Sequence, residues 1–163
     1  PGAPMVTTPT AAGIRPAASV DLFCGAGLFT LAAARAGVPA VLGIDEDLAA
    51  IEAARLNARN LGLSGIRFES ADAPAGLEFG LEPLEPEDTL LILDPPRAGL
   101  SRKTVEVIDR FRPRILLYIS CAPDTLARDL KRLGKSGYRL ESARIFDMFP
   151  RTASFESLTL LRR

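Results

Sequence analysis

The chain has 163 residues, 47% of them hydrophobic and 25% charged, which suits one compact domain with a buried core and excludes a disordered or fibrous chain. Twenty basic residues balance twenty acidic ones, so bulk charge cannot hold a polyanion, and any nucleic acid needs a local basic patch or a further domain. The two cysteines, Cys24 and Cys121, lie far apart inside apolar stretches, which excludes a disulfide framework, and no apolar run approaches the roughly 18 residues of a membrane span.

A soluble, cytoplasmic monomer with no membrane partner is therefore expected. Residues 1–16 are rich in Pro, Thr, Ala and Gly without periodicity and read as a flexible leader or linker, so that folded structure occupies residues 17–163. From Ala17 onward, short apolar runs alternate with amphipathic stretches, the pattern of a mostly parallel sheet wrapped by helices. The fold class is α/β, doubly wound.

Ala17 to Leu22 reads as the first strand and Gly27 to Ala36 as its helix, closed by Gly37. Ala40 to Asp45 is the second strand, and Leu48 to Leu61 carries apolar residues at helical spacing with Gly62 as a stop. Ile66 to Ser70 is the third strand. The stretch Pro74 to Glu87 holds three prolines and two glycines, so a loop with at most a short helix is expected there. Thr89 to Asp94 is the fourth strand, Arg102 to Phe111 a helix, and Arg114 to Ser120 a fifth strand apolar enough for the sheet centre. Pro123 suits a helix start, and that helix runs to about Leu133. Tyr138 to Phe146 and Phe155 to Leu161 are extended with no helix between them, which predicts a terminal antiparallel hairpin.

In such sheets ligands bind beyond the carboxyl ends of the strands, where the first strand turns into its helix. The segment Asp21-Leu-Phe-Cys-Gly-Ala-Gly27 lies at that point. Gly25 and Gly27 let the backbone pass close to a ligand, while Asp21 can accept a hydrogen bond from an ammonium or from the loop itself. A dinucleotide fingerprint needs a third glycine at position 30, and this chain has Thr30, which argues against a nicotinamide cofactor. Asp45, closing the second strand, is placed to take the ribose hydroxyls of a nucleoside. Asp72 can receive an adenine amino group or simply cap a helix. Cys24, in apolar surroundings, reads as an inert buried thiol.

Three further segments carry candidate chemistry. Asp94-Pro-Pro-Arg-Ala-Gly-Leu100 follows the fourth strand, and its paired prolines stiffen a loop that presents a carboxylate and a guanidinium. Tyr118-Ile-Ser-Cys-Ala-Pro-Asp-Thr-Leu-Ala-Arg-Asp-Leu130 sets Cys121 at a strand end directly before a positively polarised helix start, where a thiolate is favoured. Phe146-Asp-Met-Phe-Pro-Arg-Thr-Ala-Ser-Phe-Glu156 returns an acid to the same face.

These segments resemble the RNA uracil-5 methyltransferases, whose patterns run Asp-Pro-Pro-Arg-x-Gly, Ser-Cys-Asn-Pro-x-Thr-x-Ala-Arg-Asp and Phe-Pro-x-Thr-x-His-x-Glu. The resemblance covers nearly everything after Ala17 and implies a Rossmann-like class I methyltransferase fold with S-adenosylmethionine as cofactor. It implies Cys121 as nucleophile, Glu156 as general base, Asp94 as a cofactor-contacting acid, Asp45 as the ribose-binding acid, and Phe23 as the aromatic residue beside the glycine loop. The implied partner is ribosomal or transfer RNA, with an RNA-binding region outside this chain. Arg97 and Arg151 flank the site as candidates for phosphate or base-edge contacts, against ordinary surface ion pairs. This chain departs from the pattern at Ala122, Ala153 and Ser154, and has Ala26 and Leu28 where relatives often carry asparagines. A cofactor-binding module without catalysis, and a methyltransferase acting on a base nitrogen, are the competing readings.

Overall fold

The computed structural model describes residues 16–81, 83–147, 151 and 155–163. Residues 1–15, read above as a leader, and most of the turn between the last two strands lie outside the described residues. Seven strands form one sheet in the order β3-β2-β1-β4-β5-β7-β6. The first five, β1 (Ala18–Leu22), β2 (Ala40–Asp45), β3 (Ile66–Ser70), β4 (Thr89–Leu93) and β5 (Ile115–Ser120), run parallel to their neighbours among themselves. The hairpin strands β6 (Arg139–Phe146) and β7 (Glu156–Arg162) pair antiparallel, as expected, and β7 also pairs antiparallel with β5. That insertion makes β4 the middle strand, so β5 is one place removed from the centre assigned to it above.

Five helices link the strands: α1 (Leu28–Arg35), α2 (Leu48–Asn60), α3 (Ala73–Leu81), α4 (Arg102–Phe111) and α5 (Pro123–Lys135). Their starts follow local chemistry. Asp47 caps α2 by accepting the amide hydrogens of Ala49 and Ala50, and Ser101 caps α4 through the amide of Thr104. Two packed layers cover the sheet. Leu31 of α1 and Ile51, Ala54 and Ala58 of α2 close on Phe68, while Leu77, Leu81, Val107, Ile108, Leu126 and Leu133 from α3, α4 and α5 bury the opposite face with Val20, Leu22, Leu91, Leu93, Leu116 and Tyr118.

The segment expected to be a loop with at most a short helix contains the nine-residue helix α3. Its glycines are contact points. A side chain on Gly76 would meet Ile44 at 2.6 Å and one on Gly80 would meet Leu42 at 2.7 Å, so both residues let α3 lie against β2. Arg110 of α4 pairs with Glu78 to tie the two helices together. Among the described residues no helix is long and apolar enough to cross a membrane.

Candidate active site

The carboxyl ends of β1, β2 and β4 bring three of the expected residues into register. Leu22 pairs with Ile44 on one side and Leu93 on the other, so the next positions outward are Phe23, Asp45 and Asp94. The ladder continues there through the amide of Cys24 to Ile44 O, 2.9 Å, and the amide of Asp94 to Leu22 O, 3.4 Å. Between those bonds Phe23 takes a left-handed backbone, φ 69°, at an aromatic residue that pays on the order of 1–2 kcal/mol for it. Phe23 is half-buried and packs against the large core cluster, which helps fix that conformation.

The glycine loop follows. Gly25 (φ 52°) and Gly27 (φ 92°) both need the left-handed region that glycine adopts without strain. They face different surroundings. A side chain on Gly27 would touch Ala54 Cβ at 3.1 Å, so this glycine packs α1 against α2, whereas nothing lies within 4 Å of the corresponding point on Gly25. Asp45 braces the loop: its Oδ2 accepts the Gly25 amide at 2.8 Å and its Oδ1 the Asp47 amide at 3.0 Å. Each oxygen keeps a second lone pair for a further donor.

Asp21 is wholly buried on β1, and Thr30 donates its hydroxyl to Asp21 Oδ2 at 2.6 Å. In the sequence Thr30 reads only as an absent glycine. The other oxygen, Oδ1, is buried without a protein partner. Burial, with the negative charges of Asp94 and Asp45 nearby, pushes the Asp21 carboxyl up to about 7. The same surroundings push the Cys24 thiol up to about 12, chiefly through burial, which agrees with an inert sulfur. An open space beside Gly25, a ribose-height carboxylate at Asp45 and an unpartnered buried carboxylate oxygen at Asp21 together fit a nucleoside with a cationic amino-acid tail. Asp72 is exposed and caps α3 through the Ala75 amide at 3.0 Å, the plainer of its two expected roles.

On the other side of β4 the β5–β7 pairing sets the remaining pieces. Ser120 pairs with Ser157, whose hydroxyl donates to Ser120 O at 2.9 Å, so the next positions outward on the two strands are Cys121 and Glu156. Cys121 is a free, half-buried thiol two residues before the first turn of α5, which starts at Pro123. Glu156 is half-buried and close enough to Asp94 to add to the effect of burial, and together they push the Asp94 carboxyl up to about 6. One end of the sheet thus gathers a thiol, a carboxylate at the neighbouring position on the adjacent strand, and a second carboxylate repelled by the first.

Arg97 is exposed at the tip of a turn closed by the Gly99 amide on Pro96 O, 2.8 Å, and enters no ion pair with the described residues. Arg151 is exposed with φ 72°, and Ala153 and Ser154 lie outside the described residues. Asp129, which sequence reasoning passed over, is wholly buried in α5 and accepts hydrogen bonds from the Leu100 amide, 2.7 Å, and the Tyr118 hydroxyl, 2.9 Å. Its signal was present: it shares the buried face of α5 with Leu126 and Leu133, where an acid has no place unless paired.

Comparison with known proteins gives two family profiles. The one described as tRNA (Uracil-5-)-methyltransferase matches residues 84–163, and the one described as Ribosomal protein L11 methyltransferase (PrmA) matches residues 13–73. The chain is 39% identical to the 23S rRNA (uracil(747)-C(5))-methyltransferase RlmC of Shewanella loihica over 92% of its own length and 38% of that protein. It is 41% identical to the 23S rRNA (uracil(1939)-C(5))-methyltransferase RlmD of Aeromonas hydrophila over 88% of its length and 32% of that protein. The chain therefore spans about two fifths or less of these curated relatives. Among solved structures, the Pyrococcus abyssi tRNA (uracil-54, C5)-methyltransferase in complex with S-adenosyl-L-homocysteine superposes with a TM-score of 0.78 at 32% identity, covering 91% of this chain and 35% of that one. In sequence and in its class I methyltransferase fold, the chain is thus similar to the RNA uracil-5 methyltransferases over about nine tenths of its own length.

Proposed function

We propose that this chain is the catalytic part of an enzyme that methylates carbon 5 of a uridine in ribosomal or transfer RNA, with S-adenosylmethionine as methyl donor. The observation that carries the reading is the juxtaposition of Cys121 and Glu156 at the ends of β5 and β7, with Asp94 beside Glu156. Asp45 binds the ribose of the cofactor, Asp21 its ammonium, Gly25 allows its close approach on a loop that Gly27 seats against α2, and Phe23 and Asp72 flank the remainder. The bound cofactor supplies an electrophilic methyl group on a sulfonium.

Uracil carbon 5 is a weak nucleophile. The Cys121 thiolate adds to carbon 6, forming a carbon–sulfur bond and an enolate whose carbon 5 carries the electron pair that captures the methyl group. Glu156 then removes the proton from carbon 5, and the resulting electron pair expels the Cys121 thiolate, restoring the aromatic ring with a 5-methyl substituent. Glu156 must be ionised to accept that proton. Because addition needs one open face of the base, the target uridine must be unpaired or swung out. Arg97 and Arg151 reach for its phosphates or base edge.

The test is product analysis. Incubating RNA with the intact protein and labelled S-adenosylmethionine, then digesting to nucleosides, is expected to give 5-methyluridine, and Cys121→Ala is expected to lower its yield on the order of 10³-fold or more while leaving the fold intact. Label on an adenine or guanine nitrogen, or full activity in the variant, overturns the proposal; cofactor binding without any label in RNA favours a non-catalytic module.

A further inference from the structure

One hydrogen-bond network joins two parts of the site. The loop after β4 carries Asp94 and Arg97, and helix α5 begins just behind Cys121. Four side chains on one flank of α5 bond to the loop's backbone at residues 97, 98 and 100. Thr125 donates to Arg97 O at 3.0 Å, Arg128 Nη2 to Ala98 O at 2.7 Å, and Arg132 Nη1 to Leu100 O at 3.4 Å. Asp129 Oδ2 accepts the Leu100 amide at 2.7 Å, while Gly99 N closes the turn on Pro96 O.

Asp129 is the hub. It is wholly buried, and besides Leu100 it accepts the Tyr118 hydroxyl, Arg128 Nε at 2.9 Å and Arg132 Nη1 at 3.2 Å. A carboxylate buried at this depth costs several kcal/mol unless every lone pair is used, and here all of them are. The fit leaves no slack: a side chain on Gly99, whose φ is 73°, would stand 2.3 Å from Asp129 Oδ2 and 2.6 Å from Arg128 Nη2. Tyr118 adds the third anchor, since it lies on β5 three residues before Cys121.

We propose that Asp129 is a positioning residue that locks the 94–100 loop to the strand and helix flanking Cys121, so that the thiol, Asp94 and Arg97 are held as one rigid body. Asp129 touches no reacting atom, and its contribution to the chemistry rests on the function proposed above. The loop's backbone is left with no free carbonyl at residues 96, 97, 98 and 100 through which it could shift alone. Misplacement by about an ångström is enough to slow an oriented reaction by about 10²-fold, which makes such a lock consequential for rate.

The test has two arms. In the first, amide hydrogen exchange is measured on the chain, and Asp129→Asn is expected to speed exchange at Leu100 by about tenfold or more relative to Val20 in β1. Unchanged exchange at Leu100 overturns the lock whether or not the protein acts on RNA. In the second, the rate of covalent adduct formation with 5-fluorouridine-containing RNA and the dissociation constant for S-adenosylhomocysteine are measured on the intact protein. Asp129→Asn is expected to slow the adduct about tenfold or more and to change the dissociation constant by less than about threefold. Arg128→Lys, which keeps the charge but loses the forked contact, is expected to fall between variant and wild type and serves in place of Asp129→Asn should that protein not fold. A folded variant that forms adduct at the wild-type rate sinks the positioning role. Absence of adduct in the wild-type protein sinks the proposed function instead, and leaves the lock to be decided by exchange.

Discussion

Asp21 shows how much one buried side chain can ask of a fold. Its carboxyl is raised to about 7 from 3.8, first by burial and then by the charges of Asp94 and Asp45, with only the Thr30 hydrogen bonds pulling the other way. Between those two values the folded protein binds more protons than the unfolded chain, so stability falls as pH rises from about 4 to about 7 and levels off above. Asp21→Asn removes the titration while leaving an oxygen for Thr30. The variant, compared with wild type by urea unfolding without cofactor, is therefore expected to gain stability from pH 5 to about pH 7 and to gain little more by pH 8, by on the order of a few kcal/mol over the interval. Parallel stability curves for the two proteins would contradict the assignment. Such a cost is tolerated where a ligand later supplies the missing partner, and the ammonium proposed above is one, because it replaces a lone buried anion with an ion pair. Thr30 belongs to the same account. Read as a sequence it is the residue that spoils a dinucleotide fingerprint, and read in space it is the donor that keeps Asp21 in place.

At the scale of elements, α3 gives the sharpest contrast between propensity and packing. Helix propensity alone predicts that Gly80→Ala stabilises the protein by about 0.5–1 kcal/mol. The close approach of α3 to Leu42, 2.7 Å from the added carbon, and to Ile44, 3.2 Å, predicts the reverse, a loss of about 1–3 kcal/mol from overpacking, visible as a fall of several degrees in melting temperature. An unchanged or raised melting temperature would show that the helix can stand away from β2. The same residues explain what the sequence conceals. Ala40–Asp45, Ile66–Ser70 and Arg102–Phe111 are read with their true limits, because glycine, proline or a serine cap stands at their ends and local chemistry decides them. Gly76 and Gly80 look like breakers because what they serve is a strand that lies more than thirty residues earlier. The place of β7 between β5 and β6 is likewise a matter of long-range pairing, which alternation along Phe155 to Leu161 cannot reveal. For the site the division runs the same way. Asp45, Asp94 and Cys121 are legible because position at the end of a parallel strand fixes their height, and Glu156, which opens an antiparallel strand, through the resemblance to a family motif; Asp129 reads only as an acid on the apolar face of α5, because its partners lie across a helix–loop contact.

For the molecule as a whole, the arrangement has a simple division of labour. The half built on β1, β2 and β3 offers a glycine loop and carboxylates suited to a nucleoside cofactor, the half built on β4, β5 and β7 offers a thiol and an acid, and β4 at the middle joins them through Asp94. Neither half is complete alone, and with a balanced net charge the chain has no bulk excess of positive charge with which to hold the RNA of the function proposed above, so a local basic surface would be required of it. The central claim is that Cys121 and Glu156 act in succession on one pyrimidine ring. The measurement closest to it uses Glu156→Gln with ordinary uridine RNA and S-adenosylmethionine, followed by peptide mapping of any protein–RNA species. Loss of the base should halt the reaction after methyl transfer, so a covalent adduct bearing the new methyl group is expected to accumulate on Cys121, with the buried Cys24 unmodified. Normal turnover by that variant, or attachment at any residue other than Cys121, would contradict the account.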